Sequence, residues 1–386
     1  MRDVLEFGYV SLNKAGESLC GDKVESCYLD GHTTVVLADG LGSGVKANIL
    51  STLTSKILCT MISNGIPLEE CVHTIIKTLP VCKIRGVAYS TFSIVYLDDD
   101  GKGRLIEFDN PQAIYLRQGK RLELAREKQE ILGKTIFVTP LAMQQDDVLF
   151  VYSDGTIHAG IGLSLNLGWV RESIEDFLEA TYQTGLSARC LAALIGEATL
   201  NLYGGKPGDD TTITAIRYRE PLSVNLMIGP PVSPQLDRTV CERFFGQEGL
   251  HVVCGGTTCQ IVSRYLDRPI DTSIDYIDPE IPPTASIEGV DLVTEGVITF
   301  RKLLELSEVY KSPKDTRAKY FVKRDGASKL ADLLLEKATT VRFFVGKAGN
   351  AAHADLPINL TMKLKLVEQM QQNLLAMGKT VEVYYN

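Results

Sequence analysis

Residues 33–44 read TTVVLADGLGSG. Thr33 to Ala38 is a β-branched, apolar run of the kind that fills a buried strand. Asp39 stands where the run stops, and Gly40, Gly42 and Gly44 break it. A glycine after Asp39 lets the backbone turn tightly, so that the Gly40 carbonyl can face the same point as the Asp39 carboxylate. A helical pattern follows, with Ala47, Leu50, Leu53, Ile57 and Met61 spaced to share one face. The same stretch invites a nucleotide-binding reading. It is G-x-G-x-G rather than G-x-G-x-x-G, because residue 45 is valine. Asp39 would repel a pyrophosphate lacking metal, and no Lys-Ser or Lys-Thr follows, so a dinucleotide site is not expected there.

The pattern of an apolar strand ending in a carboxylate recurs. Residues 147–155 read DVLFVYSDG, which places Asp154-Gly155 at a strand end. Asp209-Asp210-Thr211-Thr212 opens a further strand, and Asp22 follows Gly21 at the start of an early one. One Asp-Gly pair is a common turn. Several acids at strand ends repel one another unless a positive charge sits between them. Hard divalent cations such as magnesium and manganese take carboxylate, carbonyl and water oxygens.

Around these sites the first half alternates strands with paired helices. Pro67 opens a second helix to about Leu79. Ser90 to Leu97 alternates like a strand, and Asp98-Asp99-Asp100-Gly101 reads as a hairpin turn. Helical stretches near 169–182 and 187–202 precede a last strand over 210–218. Arg219-Glu220-Pro221 marks a boundary. Beyond it strand and helix alternate, beginning with Val224–Ile228 and a helix to Phe245 capped by Ser233. That grammar implies a doubly wound, mostly parallel sheet. The expected domains are 1–220 and 221–386, in keeping with about 150 residues per domain.

The chain has 386 residues, 45% hydrophobic and 23% charged, which are ordinary globular values. Its net charge of −8 lies almost wholly in residues 1–220 and argues against a nucleic-acid-coating surface. No run of 18 apolar residues suggests a membrane span, and the N-terminus lacks an apolar signal core, so a cytoplasmic protein is expected. Nine cysteines without a C-x-x-C pair argue against structural zinc and against a disulfide framework. None has an arginine six positions later, so the C-x5-R phosphatase loop is absent, as is H-E-x-x-H.

The order Gly21-Asp22, ADGLGSG (38–44), YSDGT (152–156) and GDDTT (208–212) resembles the metal-dependent type 2C protein phosphatases, in their bacterial stage II sporulation protein E branch. The resemblance covers about residues 1–220. It implies an α+β domain, an α-β-β-α sandwich, with two Mn²⁺ or Mg²⁺ ions at one end of the sheets. By this resemblance Asp39 bridges the ions and Gly40 gives its carbonyl to one of them. Asp22 serves that same ion, and Asp154 and Asp209 hold the other. Asp210 and Thr212 support the ligands. A metal-activated water then hydrolyses phosphoserine or phosphothreonine on a protein, and no protein nucleophile is needed. The branch implies a phosphorylated partner of the anti-sigma-antagonist type. No arginine stands where larger relatives grip phosphate, and His158, four residues after Asp154, is a candidate proton donor.

Residues 221–386 carry no motif tied to a reaction. Gly255-Gly256-Thr257-Thr258 would offer amides and hydroxyls before a helix, a cradle for a small anionic ligand. Glu295, Lys347, Asp278, Asn350 and His353 could join that rim. Cys254 and Cys259 flank the loop as buried thiols. The leading expectation is a two-domain phosphatase whose second domain is regulatory or ligand-binding. One alternative is a non-enzymatic signalling protein with a structural metal site. The other is a transferase acting through its second domain.

Overall fold

The computed structural model describes residues 3–79, 90–272, 281–312, 314, 325–348 and 358–386. The chain divides into two compact units, one over Met1–Glu220 and one over Pro221–Ser312 with Lys319–Asn386. No helix of the described residues is long and apolar enough to cross a membrane.

The first unit begins with β1 (Val4–Leu12), β2 (Asp22–Leu29), β3 (His32–Gly40), α1 (Gly44–Ser63) and α2 (Leu68–Thr78). It continues through β4 (Ser90–Asp98), β5 (Lys102–Phe108), β6 (Ile114–Arg117), β7 (Lys120–Arg121), β8 (Glu127–Ile131), β9 (Lys134–Ala142) and β10 (Val148–Tyr152). It closes with α3 (Asp154–Ile157), α4 (Arg171–Thr181), α5 (Ala188–Leu202) and β11 (Thr211–Arg219). Two antiparallel sheets result, in the orders β2-β3-β4-β5-β9-β8 and β1-β11-β10-β6-β7.

Three cores explain why β3 and β10 are continuously apolar rather than alternating: each sheet is covered on both faces. Val36 and Ala38 of β3 pack with Leu58, Ile62, Val72 and Ile75 of α1 and α2. Val35 and Leu37 turn the other way, toward Leu149 and Val151 of β10. Val148, Phe150 and Tyr152 face Ile174 of α4 and Leu191 of α5.

The buried face of α1 is wider than the expected one: Leu50, Ile57 and Met61 pack against the core as expected, and Leu53 does not. Ala47 is buried, but the face continues through Ser51, Thr54, Ser55, Leu58, Cys59 and Ile62. Leu53 is 42% exposed. The buried hydroxyls bond to carbonyls of their own helix: Ser51 to Asn48, Thr54 to Leu50 and Ser55 to Thr52. Such back-bonding lets polar side chains enter a core without an unmet donor, and a stripe traced through leucine and isoleucine alone misses it.

The second unit runs β12 (Ser223–Ile228), α6 (Asp237–Phe245), β13 (Leu250–Cys254), α7 (Gly256–Leu266), β14 (Asp271–Thr272) and β15 (Ala285–Ser286). Then come β16 (Leu292–Thr294), α8 (Val297–Tyr310), α9 (Gly326–Ala331), β17 (Thr340–Val345), α10 (Ile358–Ala376) and β18 (Thr380–Tyr385). The sheet order is β14-β15-β16-β13-β12-β17-β18. β16, β13, β12, β17 and β18 are parallel, with β14 and β15 antiparallel at one edge. Alternate residues serve opposite faces. Leu226, Ile228, Phe343 and Val345 pack with Phe300 of α8 and Met370 of α10, whereas Met227 and Phe344 pack with Phe244 of α6 and Val262 of α7. Ser233 does not cap α6. A single 3-10 turn over Pro234–Leu236 intervenes, and the Ser233 hydroxyl bonds to Gln235 instead.

The face of α1 gives a direct test. Leu58→Ala should cost about 2–5 kcal/mol, as a fully buried leucine does, while Leu53→Ser should stay within about 0.5 kcal/mol. Urea unfolding of the two variants decides the matter; equal costs would return Leu53 to the buried face.

Candidate metal centre

Asp22 and Asp39 are cross-strand partners in the β2–β3 register. The turn after Asp39 is held by the Gly40 amide, which donates to the Gly21 carbonyl at 3.2 Å, and by the Ser90 hydroxyl, which donates to the Asp39 carbonyl at 2.6 Å. A Cβ on Gly40 would lie 2.0 Å from the Ala47 carbonyl oxygen, so only glycine lets α1 start so close to the end of β3. The other sheet brings Asp154, which opens α3 after β10, and Asp209-Asp210, which lead into β11. Here too a glycine permits the approach: a Cβ on Gly155 would lie 2.2 Å from the Asp210 carbonyl oxygen. Tyr203 fixes this turn by donating its hydroxyl proton to the Gly155 carbonyl at 2.7 Å.

The carboxylates disturb one another. Asp22 is 3% exposed. Burial pushes its carboxyl up to about 7, with Asp210 and Asp154 adding repulsion against the bonds from Ser153 and Thr212. Asp39 is pushed up to about 9, first by burial, then by the charges of Asp22, Asp154 and Asp209. Asp154 is raised by burial and by Asp209, with His158 opposing. Asp210 is raised by burial, although the Lys14 and Gly21 amides donate to it.

Asp22, Asp39, Asp154 and Asp209 thus meet from both sheets. A tighter group lies within the set: one ligand atom each from Asp154, His158 and Asp209 fall within 4.8 Å of one another. Asp22 and Asp39 stand outside that trio. Gly40 is placed beside Asp39 by the turn described above. Asp210 Oδ1 accepts from the Lys14 amide at 3.0 Å, and Thr212 lies against Asp22 and Ser153. The Thr212 amide donates to Ser153 Oγ at 2.8 Å, and Ser153 donates to Asp22 Oδ2 at 2.7 Å. The Thr212 hydroxyl shares a 2.8 Å bond with Ser11.

Three of these partners were not singled out as parts of the site. Ser153 precedes Asp154 in the YSDG stretch, which is the only sequence signal it gives. Ser11 gives none. Lys14 follows β1 with no motif around it, and its Nζ lies 3.5 Å from Asp209 Oδ1. His158 Nδ1 lies 3.9 Å from Asp154 Oδ2, one helical turn on.

In the second unit Gly255, Gly256, Thr257, Thr258 and Glu295 line one cavity of about 310 Å³ at the carboxyl ends of the parallel strands. Lys347 is not among its walls; its ammonium sits over the Tyr385 ring at 5.0 Å. Asp278, Asn350 and His353 lie outside the described residues. Burial pushes the Cys254 thiol up to about 12, and Thr294 donates to its sulfur at 3.2 Å. That environment makes it an inert thiol.

Residues 29–219 match the family model of stage II sporulation protein E. No curated protein is significantly similar to the chain. Among solved structures, the PP2C phosphatase domain with a regulatory-domain fragment of SpoIIE from Bacillus subtilis is 19% identical, with a TM-score of 0.48. That likeness covers 57% of this chain and 63% of the other, less than two thirds of its length. The RsbU and RsbW domains of a Mycobacterium tuberculosis protein are 19% identical over 63% of this chain and 67% of that one, with a TM-score of 0.46. RsbX in complex with magnesium is 17% identical over 55% of this chain and 95% of its own, with a TM-score of 0.40. The segment over residues 29–219, which holds Asp39, Asp154 and Asp209, belongs to the stage II sporulation protein E family.

Proposed function

We propose that the first unit is a serine/threonine protein phosphatase that uses two Mn²⁺ or Mg²⁺ ions, its two-sheet layering being the α-β-β-α sandwich of that class. One observation carries the reading. Asp22 Oδ1 is buried with no hydrogen-bond partner among the described residues, inside a group of mutually repelling carboxylates. A buried oxygen of this kind is costly unless something positive meets it. An all-oxygen donor set with one imidazole at its edge suits a hard divalent ion.

In this reading Asp39 serves both ions, Gly40 and Asp22 serve one, and Asp154 and Asp209 serve the other. When bound, the ions supply an acidified water as nucleophile and offset the charge of the phosphoryl oxygens. The chain's own residues hold the geometry. Ser153 orients Asp22, Tyr203 fixes the turn that carries Asp154, and the Lys14 amide holds the Asp210 carboxylate. Lys14 Nζ, already beside Asp209, is placed to meet a phosphoryl oxygen. His158, beside Asp154, is placed to hold a proton for the leaving alkoxide. The substrate is a phosphorylated protein, of the anti-sigma-antagonist type by the family's role. The second unit is regulatory.

Chelation with EDTA should abolish turnover of an aryl phosphate, and Mn²⁺ should restore it. Undiminished turnover after full chelation would exclude the mechanism. Asp39→Asn should lose the most activity, since it touches both ions. Asp209→Asn should be partly rescued by excess Mn²⁺, and Asp210→Asn should be milder because an amide keeps supporting bonds. A dead Asp210→Asn beside a mild Asp209→Asn would shift the ligand by one residue.

Stability without metal follows from the raised carboxyls. An acid whose folded pKa is raised favours the protonated folded form, so its stabilising effect is complete below the unfolded value near 4 and is lost as pH rises. Asp22 and Asp39 place that loss between about pH 4 and 9. EDTA-treated protein should therefore melt lower at pH 8 than at pH 5, and Mn²⁺ should reverse the loss. Asp39→Asn should melt higher than the parent at pH 8 in EDTA. A flat melting temperature across this range would contradict the crowding.

Residues 1–220 hold all the proposed ligands and three complete cores. Produced alone, they should unfold cooperatively and keep Mn²⁺-dependent turnover. Loss of turnover in a folded fragment would make the second unit part of the enzyme.

A further inference from the structure

The cavity at the strand ends of the second unit contains a charge that no acidic group among the described residues balances. Lys363 of α10 lines it and is 7% exposed. Its ammonium donates to the Gly346 carbonyl. Burial alone shifts its pKa, downward, and no charged group among the described residues opposes the shift. The chain makes room for this ammonium with a glycine, since a Cβ on Gly229 would stand 2.4 Å from Lys363 Nζ. A buried ammonium is costly unless a counter-charge meets it.

Two helices contribute their first turns to the same cavity. The first turn of α8 is filled from within: the Glu295 carboxylate accepts from the Ile298 amide at 3.0 Å and the Thr299 amide at 3.4 Å. The first turn of α7 is not. It follows Gly255, at φ +107°, with no side-chain cap and no acidic residue. Its leading amides have no partner within the helix. Thr258, 1% exposed, ties this turn to the end of β12, because its hydroxyl oxygen accepts from the Gly229 amide at 3.0 Å.

We propose that this cavity binds a small organic anion whose phosphate or carboxylate head lies between the first turn of α7 and Lys363. Both groups are positive and both line this cavity. The volume of about 310 Å³ is roughly ten times the ~30 Å³ of a liquid water, so a head group leaves room for an organic body against Ile228, Cys254 and Ile298. A dinucleotide is disfavoured. Its pyrophosphate would need amides after the first strand of the sheet, and there Pro230 and Pro231 follow Gly229 without an N–H.

The test titrates the full chain in EDTA, so that the first unit holds no metal to attract or hydrolyse the probe. The probes are inorganic phosphate, adenosine monophosphate and 2-oxoglutarate, read by calorimetry and by melting temperature. At least one should bind and raise the melting temperature. Binding of adenosine monophosphate but not 2-oxoglutarate assigns a phosphate head, and the reverse a carboxylate. Lys363→Met should weaken that binding at least about tenfold and, without anion, should melt no lower than the parent. Gly256→Asp is the second variant. A Cβ at Gly256 meets nothing within 4 Å, so an aspartate there should fold, occupy the first turn of α7 and abolish binding. No binding of any probe at millimolar concentration would overturn the proposal. Parent-like binding by both variants would overturn it as well.

Discussion

Carboxylates brought together out of water repel one another, and the first unit is built to bring them together. Asp22 and Asp39 come from the ends of one sheet, Asp154 and Asp209 from the other. Neither sheet alone assembles the set. The apolar layer between the sheets, with Leu37 and Val35 against Leu149 and Val151, therefore works against the repulsion at its edge. Close approach at that edge depends on Gly40 and Gly155, where any side chain would meet backbone. The site is thus a strained place on a rigid frame. Binding of the proposed cations would release that strain, so the same residues that weaken the metal-free fold would organise a charged substrate.

How much of this was legible depends on what kind of signal each residue leaves. Asp39 and Asp154 stand out because a strand buried on both faces is continuously apolar, so a carboxylate at its end breaks a clear pattern. Asp209-Asp210 stand out for the same reason at the head of β11, all nine residues of which are buried. Ser153 leaves no such mark. Its value lies in reaching Asp22, 131 positions away, and only the packing of the two sheets sets that distance. Lys14 likewise looks like any surface lysine until β1 and β11 pair. The face of α1 is wider than its apolar residues suggest for a different reason. Its buried hydroxyls satisfy themselves on their own helix, so polarity there does not mean exposure.

In the second unit the alternation of strand and helix carried the fold, and the strand-end glycines and threonines marked the rim. Lys363 was not marked. It lies on a helix after the fourth parallel strand, more than a hundred residues from Thr258, and no periodicity joins the two. Glu295 lies on the rim where its strand end puts it, with its carboxylate turned into the first turn of α8.

The handling of α7 and α8 separates packing from binding. If the cavity served stability alone, the treatment given to α8 would suit α7 as well. A carboxylate at position 256 would fill the open amides and balance Lys363, and the backbone there leaves space for one. The chain instead keeps glycine at 256 and, in the same cavity, a buried ammonium that no acidic group among the described residues balances. The first unit shows the mirror image, with carboxylates crowded against one another. In both units, charges that are costly when left alone are held in place by close-packed glycine turns. A fold optimised only for its own stability would neutralise them; a fold that must receive an ion or an ionic ligand leaves them open.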